Sequence, residues 1–242
     1  MAGRARGTRV LVGTSGFSYP AWRGTFYPEE LPAREMLAFY ARALGTVEIN
    51  HTFRRLPTPA LLAGWAQQTP TGFRFALKAP QRITHLLRLR DAGEITGEFC
   101  RVARRLGPKL GPLLFQLPPY LRFDGVRLRD FLAILPAGVE PAFEFRHASW
   151  FTGETYDLLA RHRAALCIAD SEDLSTPLIA TAPFGYLRLR RADYADADLA
   201  AWADRIRETT PWKRVYVYLK HEDSGRGPPL ARALLGRLQA DS

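Results

Sequence analysis

Short apolar runs alternate with longer amphipathic stretches along the whole chain of 242 residues. Each run has the length and residue types of a strand, and most are followed by a stretch with helical periodicity. The predicted strands are RVLVG (9–13), TVEIN (46–50), FRFALK (73–78), PLLFQL (112–117), AFEFR (142–146), AALCIAD (164–170), GYLRLR (185–190) and RVYVYLK (214–220). A helix is predicted after every strand except the sixth, which leads into an irregular stretch. Because parallel neighbours require helical crossovers, this pattern predicts a parallel sheet.

The pattern inside the strands distinguishes a closed barrel from an open sheet. In the second strand Val47 and Ile49 share one face while Glu48 shares the other with Asn50. In an open sheet with helices on both faces, the strands would be continuous apolar runs, because burying each charged residue would cost several kcal/mol. A barrel with helices on its outer face and a lumen that is polar towards one mouth gives the alternating pattern instead. We therefore predict a single α/β domain over residues 9–242, a TIM-like (β/α)8 barrel, preceded by a disordered or extended tail at residues 1–8.

Composition allows a folded core and limits the environment in which the protein works. Hydrophobic residues make up 47% of the chain, and no run of about 18 apolar residues could span a membrane. The two cysteines, Cys100 and Cys167, have neither zinc-site nor disulfide spacing, which suits a reducing compartment. The basic start is followed by too short an apolar stretch for a signal peptide. We therefore expect a cytoplasmic protein with no membrane partner.

The formal charge of +10 suits an anionic partner, either nucleic acid or a phosphorylated metabolite. Arginine supplies most of the positive charge, since the only lysines are Lys78, Lys109, Lys213 and Lys220. Such a skew also arises in GC-rich genomes without any functional pressure. The global charge therefore leaves the partner open.

Candidate chemistry lies at the carboxyl ends of the strands, where barrel enzymes place their working residues. We predict catalytic roles for Glu48, Lys78, Glu144 and His147. The predicted ligand-binding residues are Ser15, Asn50, Gln116, Arg146, Asp170, Arg188, Arg190 and Lys220. In this hypothesis Glu48 or Glu144 is the general base or acid, and the lysines and arginines hold an anion. The alternative is a buried salt-bridge network that only fills the barrel.

The last two strands give a more specific indication of phosphate binding. Arg188, Arg190 and Arg191 end the seventh strand, and SGRGPP (224–229) precedes the last helix. Phosphate sites of such barrels use the loops after strands seven and eight together with a helix N-terminus. The glycine loop alone is as consistent with a plain turn as with an anion cradle. Combined with the arginines, it favours an anionic ligand.

Other chemistries fit the sequence less well. Glu48, Glu144, Asp170 and the histidines could form a metal cluster, but neighbouring cations oppose it and no HExxH spacing occurs. We therefore predict neither a metal nor a cofactor. The first loop, GTSGFS, lacks the GxSxG nucleophile elbow. Its aromatic residues from Tyr19 to Tyr27 either stack on a ligand or pack the loops down.

Five stretches that occur in order along the chain are VGTSGFSYPAWRGTFYP, VEINHTF with RLP, FALKAPQRITH, GPLLFQLPP and EFRHASW. Together they resemble the motifs of the YecE-like family, known as domain of unknown function 72. The resemblance runs from about residue 10 to the last helix. It implies a TIM-like barrel. It implies no particular reaction, because the biochemical role of the family is not established.

The chain departs from this family pattern at three places. The resemblance implies a phenylalanine-tyrosine pair after the second strand, a histidine-glycine pair after the seventh and an asparagine pair after the eighth. These positions hold Phe53 and Arg54, Arg190 and Arg191, and Lys220 and His221. All three departures are basic. Either the ligand is more anionic than in relatives, or this member has drifted from the ancestral activity.

The leading hypothesis is an enzyme that acts on a phosphorylated or otherwise anionic small molecule at the C-terminal mouth of the barrel. A hydrolase, a lyase and an isomerase all fit. The alternatives are a non-catalytic nucleic-acid-binding protein and a metal-assisted phosphodiester hydrolase. The substrate and the oligomeric state stay open.

Overall fold

Eight parallel strands close into one barrel in the computed structural model, which describes residues 8–220 and 225–240. Numbered in chain order, the strands are β1 Arg9–Ser15, β2 Thr46–Ile49, β3 Arg74–Lys78, β4 Leu110–Gln116, β5 Pro141–Glu144, β6 Ala165–Asp170, β7 Phe184–Leu189 and β8 Arg214–Leu219. Each strand pairs with the next, and β8 pairs with β1 from Arg9↔Arg214 to Thr14↔Leu219. The predicted TIM-like (β/α)8 barrel is confirmed.

Helices cover the outside of the barrel. They are α1 Met36–Ala43, α2 Pro59–Gln67, α3 Gly93–Ala103, α4 Gly125–Ala133, α5 Gly153–Arg161, α6 Asp196–Glu208 and α7 Gly227–Ala240. Residues 171–183, between β6 and β7, contain no helix, as the sequence predicts. Within the described residues, no helix is both long and apolar enough to cross a membrane.

Side-chain caps fix where several of these helices begin. The Thr58 hydroxyl accepts a hydrogen bond from the Leu61 amide at the start of α2, which also has proline at its first position. The Asp124 carboxylate accepts one from the Arg127 amide at the start of α4. These caps satisfy amide groups that have no partner inside the helix. The caps therefore fix the residues at which the loops after β2 and β4 end and the helices begin.

The alternation along the strands separates two apolar layers. Leu166 and Ile168 of β6 belong to the outer layer between sheet and helices, whereas Ala165 and Cys167 belong to the lumen. Tyr186, Tyr216 and Tyr218 fill most of that lumen. Because these large side chains pack against one another inside the barrel, the lumen is a core and not a pore.

The structure also shifts some predicted details. β5 ends at Glu144, so Arg146, predicted inside the strand, lies in the loop that follows. Trp22 and Tyr27 of the first loop are both 1% exposed, which favours the packing alternative for these aromatic residues. Gly225 lies against Thr25 of that same loop. The predicted tail, apart from Thr8, and His221 lie outside the described residues.

Candidate functional site

Three ionisable side chains from three separate strands meet inside the barrel, near the carboxyl ends of the strands. Every second residue of a strand faces the lumen, and Glu48 on β2, Glu144 on β5 and Arg188 on β7 occupy such positions. Each of the three is at most 2% exposed. Charges removed from water to this extent need direct partners.

Arg188 connects the two carboxylates. Its Nη2 donates to Glu48 Oε1 at 2.8 Å, and its Nη1 donates to Glu144 Oε2 at 2.5 Å. Charge-assisted hydrogen bonds of this kind are stronger than neutral ones, and removing one partner of a buried pair leaves an uncompensated charge. The position of the guanidinium group is therefore fixed by two strands other than its own.

Glu48 accepts three further hydrogen bonds. Ser15 Oγ and Asn50 Nδ2 donate to its Oε1 at 2.8 and 3.1 Å, and the Tyr186 hydroxyl donates to its Oε2 at 2.7 Å. Burial disfavours the charged carboxylate, but the Arg188 charge and the hydroxyl donors outweigh it, so the pKa of Glu48 is lowered. Glu48 is therefore ionised at neutral pH.

Glu144 is held by two more arginines. Arg146 Nε and Arg190 Nη1 donate to its Oε1 at 2.9 and 3.2 Å. Burial again favours the neutral acid, but the charges of Arg188 and then of these two arginines overcome it and bring the pKa of Glu144 to about 2. Both buried carboxylates thus carry negative charge, and both are occupied in holding arginines.

A cavity of about 560 Å³ lies at the mouth of the barrel beside this network. Its cationic lining residues are Arg54, Lys78, Arg146, Arg188, Arg190 and Lys220. The remaining lining residues are Asn50, His51, Phe53, His85 and Gln116. No carboxylate from the described part of the chain lines it. The cavity therefore presents an excess of positive charge to a bound molecule.

Lys78, at the end of β3, contacts an aromatic ring of the cavity. Its Nζ lies 4.0 Å from the centre of the Phe53 ring, and it forms no ion pair with any described carboxylate. Burial, and after it the charge of Arg188, lowers the pKa of Lys78 to about 8. A fraction of the Lys78 amine is therefore uncharged near physiological pH.

His85, from the loop after β3, packs against the same phenylalanine. The centres of the His85 and Phe53 rings are 5.0 Å apart, with an angle of 82° between the ring planes. Its Nδ1 lies 2.9 Å from the Thr84 hydroxyl. Burial, followed by the charges of Lys78 and Arg146, lowers the pKa of His85. A neutral imidazole is therefore available at the cavity for proton transfer.

Most of the predicted site residues meet at this mouth. Those that line the cavity are Asn50, Lys78, Gln116, Arg146, Arg188, Arg190 and Lys220. Those that hold Arg188 or its partners are Ser15, Glu48 and Glu144. The predicted carboxylate network and the predicted anion clamp are thus neighbouring parts of one site.

Asp170 lies elsewhere, because it occupies the outward face of β6 together with Leu166 and Ile168. Its Oδ2 accepts hydrogen bonds from Arg191 Nε at 3.1 Å and from Trp202 Nε1 at 3.1 Å. These contacts join β6 to α6 and to the loop before it. Asp170 is not among the residues that line the cavity.

His147 also has a local structural role. Its Nδ1 accepts a hydrogen bond from the Ser149 amide at 3.1 Å, at the start of the short 3-10 helix Ala148–Trp150. Its side chain does not line the mouth cavity. The catalytic role expected for His147 has no support in this arrangement.

Five residues that contribute to the site are absent from the predicted catalytic and ligand-binding residues, although Phe53 and Arg54 were noted as a departure from the family pattern. They are His51, Phe53, Arg54, His85 and Tyr186. Tyr186 could have been found, because it is two residues before Arg188 on the same strand and so shares its inward face. The others come from loops, whose course the strand pattern does not specify.

No group of three histidine, cysteine, aspartate or glutamate side chains that could hold a metal ion occurs within residues 8–220 and 225–240. The carboxylates that a metal would need contact guanidinium groups instead. This arrangement of the described residues gives no support to the metal-assisted hydrolase considered from the sequence.

Solved structures with this barrel include a DUF72 family protein from Thermotoga maritima. It superposes with a TM-score of 0.80 at 26% sequence identity, covering 97% of this chain and 100% of that chain. A DUF72 family protein from Enterococcus faecalis superposes with a TM-score of 0.78 at 17% identity over 95% of each chain. The second similarity shows the fold alone.

Sequence comparisons agree with the structural ones. UPF0759 protein YecE of Escherichia coli K12 is 33% identical over 159 residues, 63% of this chain and 54% of the relative. The chain thus spans about half the length of the curated relative it matches. The family model described as "Protein of unknown function DUF72" matches residues 11–242. This chain therefore belongs to the DUF72 family.

Proposed function

We propose that the mouth cavity binds an anionic small molecule, phosphorylated or carboxylated, and that the protein is an enzyme acting on it. The observation that carries this proposal is the lining of the cavity by six lysine and arginine residues and by no described carboxylate. Like charges crowded around one cavity repel one another, and a bound anion relieves that repulsion.

The buried carboxylates offset only part of this charge. Glu48 and Glu144 supply two negative charges against the six cations of the cavity, which leaves an excess of four. Both carboxylates are already bonded to arginines. The network therefore holds the cations in place and leaves the cavity positive, which a network that only filled the barrel would not need to do.

The roles of the residues follow from these contacts. Arg146, Arg190 and Lys220 are placed to hold the anion, while Glu48 and Glu144 act as positioning residues for the arginines. Lys78 and His85 are the groups best suited to exchange protons with the substrate. The general acid or base role predicted for Glu48 or Glu144 stays a prediction, and their lowered pKa values do not favour it. The cytoplasmic location also stays a prediction.

Two neighbouring arginines provide a matched test of anion binding. Arg54 lines the cavity and Arg55 does not, and both side chains are exposed, so that neither substitution removes buried contacts. Calorimetric titration with inorganic phosphate and with a small carboxylate should show binding to the wild type. Arg54→Gln should weaken that binding roughly three- to tenfold, the effect of about 1 kcal/mol. Arg55→Gln should change it less than about twofold.

The same pair of variants separates the nucleic-acid alternative from the proposed function. A nucleic-acid-binding surface would bind a single-stranded oligonucleotide with an affinity that falls steeply with salt. It would also lose affinity equally on substitution of Arg54 or Arg55. That result, combined with no measurable binding of phosphate or carboxylate, would replace the proposed function with the alternative.

A further inference from the structure

We propose that Lys78 forms a covalent imine with its substrate, so that the natural ligand of the mouth is an aldehyde or ketone that carries a phosphate or carboxylate group. This inference rests on the proposed function, since it places the anionic part of the ligand among the arginines. It adds the chemical class of the reacting group and the residue to which that group becomes attached.

The surroundings of Lys78 are those of a reactive amine. Its Nζ faces the Phe53 ring at 4.0 Å and belongs to the lining of the cavity. Arg188, which lines the same cavity, has two carboxylate partners. A lysine that served only to balance charge would gain more from one of these carboxylates than from an aromatic ring.

The other three lysines of the chain differ from Lys78 in their surroundings. Lys109 donates hydrogen bonds to the backbone carbonyls of Ala66 and Thr69. Lys213 is exposed and precedes β8, at the end of the barrel opposite the mouth. Lys220 lines the cavity as well, which makes it the natural comparison for Lys78.

Desolvation and neighbouring positive charge are the two conditions that activate a lysine as a nucleophile. Both apply here, because Lys78 is partly buried against the Phe53 ring and the charge of Arg188 adds to the effect of burial. The same positive charges attract the anionic group of the substrate. The cavity therefore concentrates the substrate beside an amine that is partly in its uncharged form.

The chemical step is balanced without a further reagent. The lone pair of Lys78 Nζ forms a bond to the carbonyl carbon, and a proton moves from nitrogen to the former carbonyl oxygen to give a carbinolamine. After that hydroxyl group is protonated, the nitrogen lone pair forms the C=N bond as the C–O bond breaks, water leaves, and the positive charge stays on the iminium nitrogen. His85, which packs against the same Phe53 ring, is the neutral group placed to move these protons.

Pyridoxal 5′-phosphate is a suitable probe, since it is an aldehyde with a phosphate group. The wild-type protein is incubated with it, the imine is reduced with borohydride, and the four lysines are mapped by peptide mass spectrometry. The expected result is saturable labelling on Lys78, with little on Lys109, Lys213 or Lys220. Inorganic phosphate should suppress this labelling, and pyridoxal without its phosphate should label Lys78 more weakly.

Two substitutions complete the test. Lys213→Arg should leave the labelling of Lys78 unchanged, because Lys213 is exposed far from the cavity. Lys78→Arg should abolish the site-specific labelling while its circular dichroism spectrum stays that of the wild type. The mapping of the wild-type protein decides the question even if Lys78→Arg does not fold.

The failures of the two proposals have different signatures. Calorimetric phosphate binding without labelling of Lys78, or with labelling mainly on Lys220, would overturn the imine and leave the proposed function standing. If phosphate and carboxylate do not bind and any labelling is spread over exposed lysines, both proposals are wrong.

Discussion

Arg188 determines much of the electrostatics of the mouth, since its guanidinium group pairs with carboxylates from two other strands. Of the remaining cations of the cavity, Arg146 and Arg190 share Glu144 with it. Arg54, Lys78 and Lys220 form no ion pair with a described carboxylate. At the scale of single residues, the site is therefore a layer of fixed carboxylates beside a layer of cations. In the function that we propose, the residues that line the mouth cavity bind the anion and exchange protons with it.

Glu144 gives a pH-dependent prediction at this scale. Its pKa is about 2 in the folded protein and 4.5 ordinarily, so between these values the unfolded chain binds more protons than the folded one. The stabilisation is fully present above pH 4.5 and is lost as the pH falls towards 2. The free energy of urea unfolding should therefore fall with pH over this range in the wild type. In Glu144→Gln this part of the pH dependence should be absent.

The same variant should also be less stable at neutral pH. Removing the charge of Glu144 breaks a buried ion-pair network, which costs about 3–5 kcal/mol. Glu140→Gln is the control, because Glu140 pairs with Arg214 where both side chains are 33% exposed, and such pairs are worth up to about 1 kcal/mol. Equal losses in the two variants would contradict the account of the network.

At the scale of elements, the two-residue period of the strands determines which side chains face the lumen together. Asp170 illustrates the rule, because its place at a strand end suggested ligand binding while its position in the alternation put it outside the lumen. The alternation of Leu166 and Ile168 with Cys167 already contained that information. The eight strands and the closed barrel were therefore predicted from the sequence, and the outward position of Asp170 was predictable from the same alternation.

Asp170→Ala tests this assignment. The substitution removes the carboxylate that accepts hydrogen bonds from Trp202, Tyr194 and Arg191. The packing of α6 against β6 is therefore weakened. Unfolding free energy should fall by about 1–3 kcal/mol. Phosphate affinity, measured by calorimetry, should stay within about twofold of wild type. A large loss of affinity in a folded variant would return Asp170 to the binding site.

The loops could not be predicted in the same way. After β3 the chain passes through a π-helix at Arg82–Leu86, and Arg88, Leu89 and Asp91 then adopt positive φ angles of 51°, 70° and 47°. Such conformations are unfavourable for residues with a Cβ and persist because long-range packing imposes them. His85 reaches the cavity through this segment, which explains why the sequence pattern did not indicate it.

At the scale of the whole molecule, the net charge of +10 says little about where an anion binds. The mouth accounts for an excess of only four positive charges, so most of the net charge comes from other parts of the chain. The composition therefore indicates the sign of the partner's charge but not the position of its binding site. The place follows from the closed barrel, which brings lysine and arginine residues from β3, β7 and the loops after β2, β5, β7 and β8 to one end.

The most direct test of the central claim is to locate an anion in crystals of the protein soaked with tungstate, a heavy analogue of phosphate. We expect an anomalous peak inside the mouth cavity, within hydrogen-bonding distance of Arg146, Arg190 or Lys220. The peak should disappear on competition with inorganic phosphate. Peaks confined to surface arginines, with an empty mouth, would contradict the central claim.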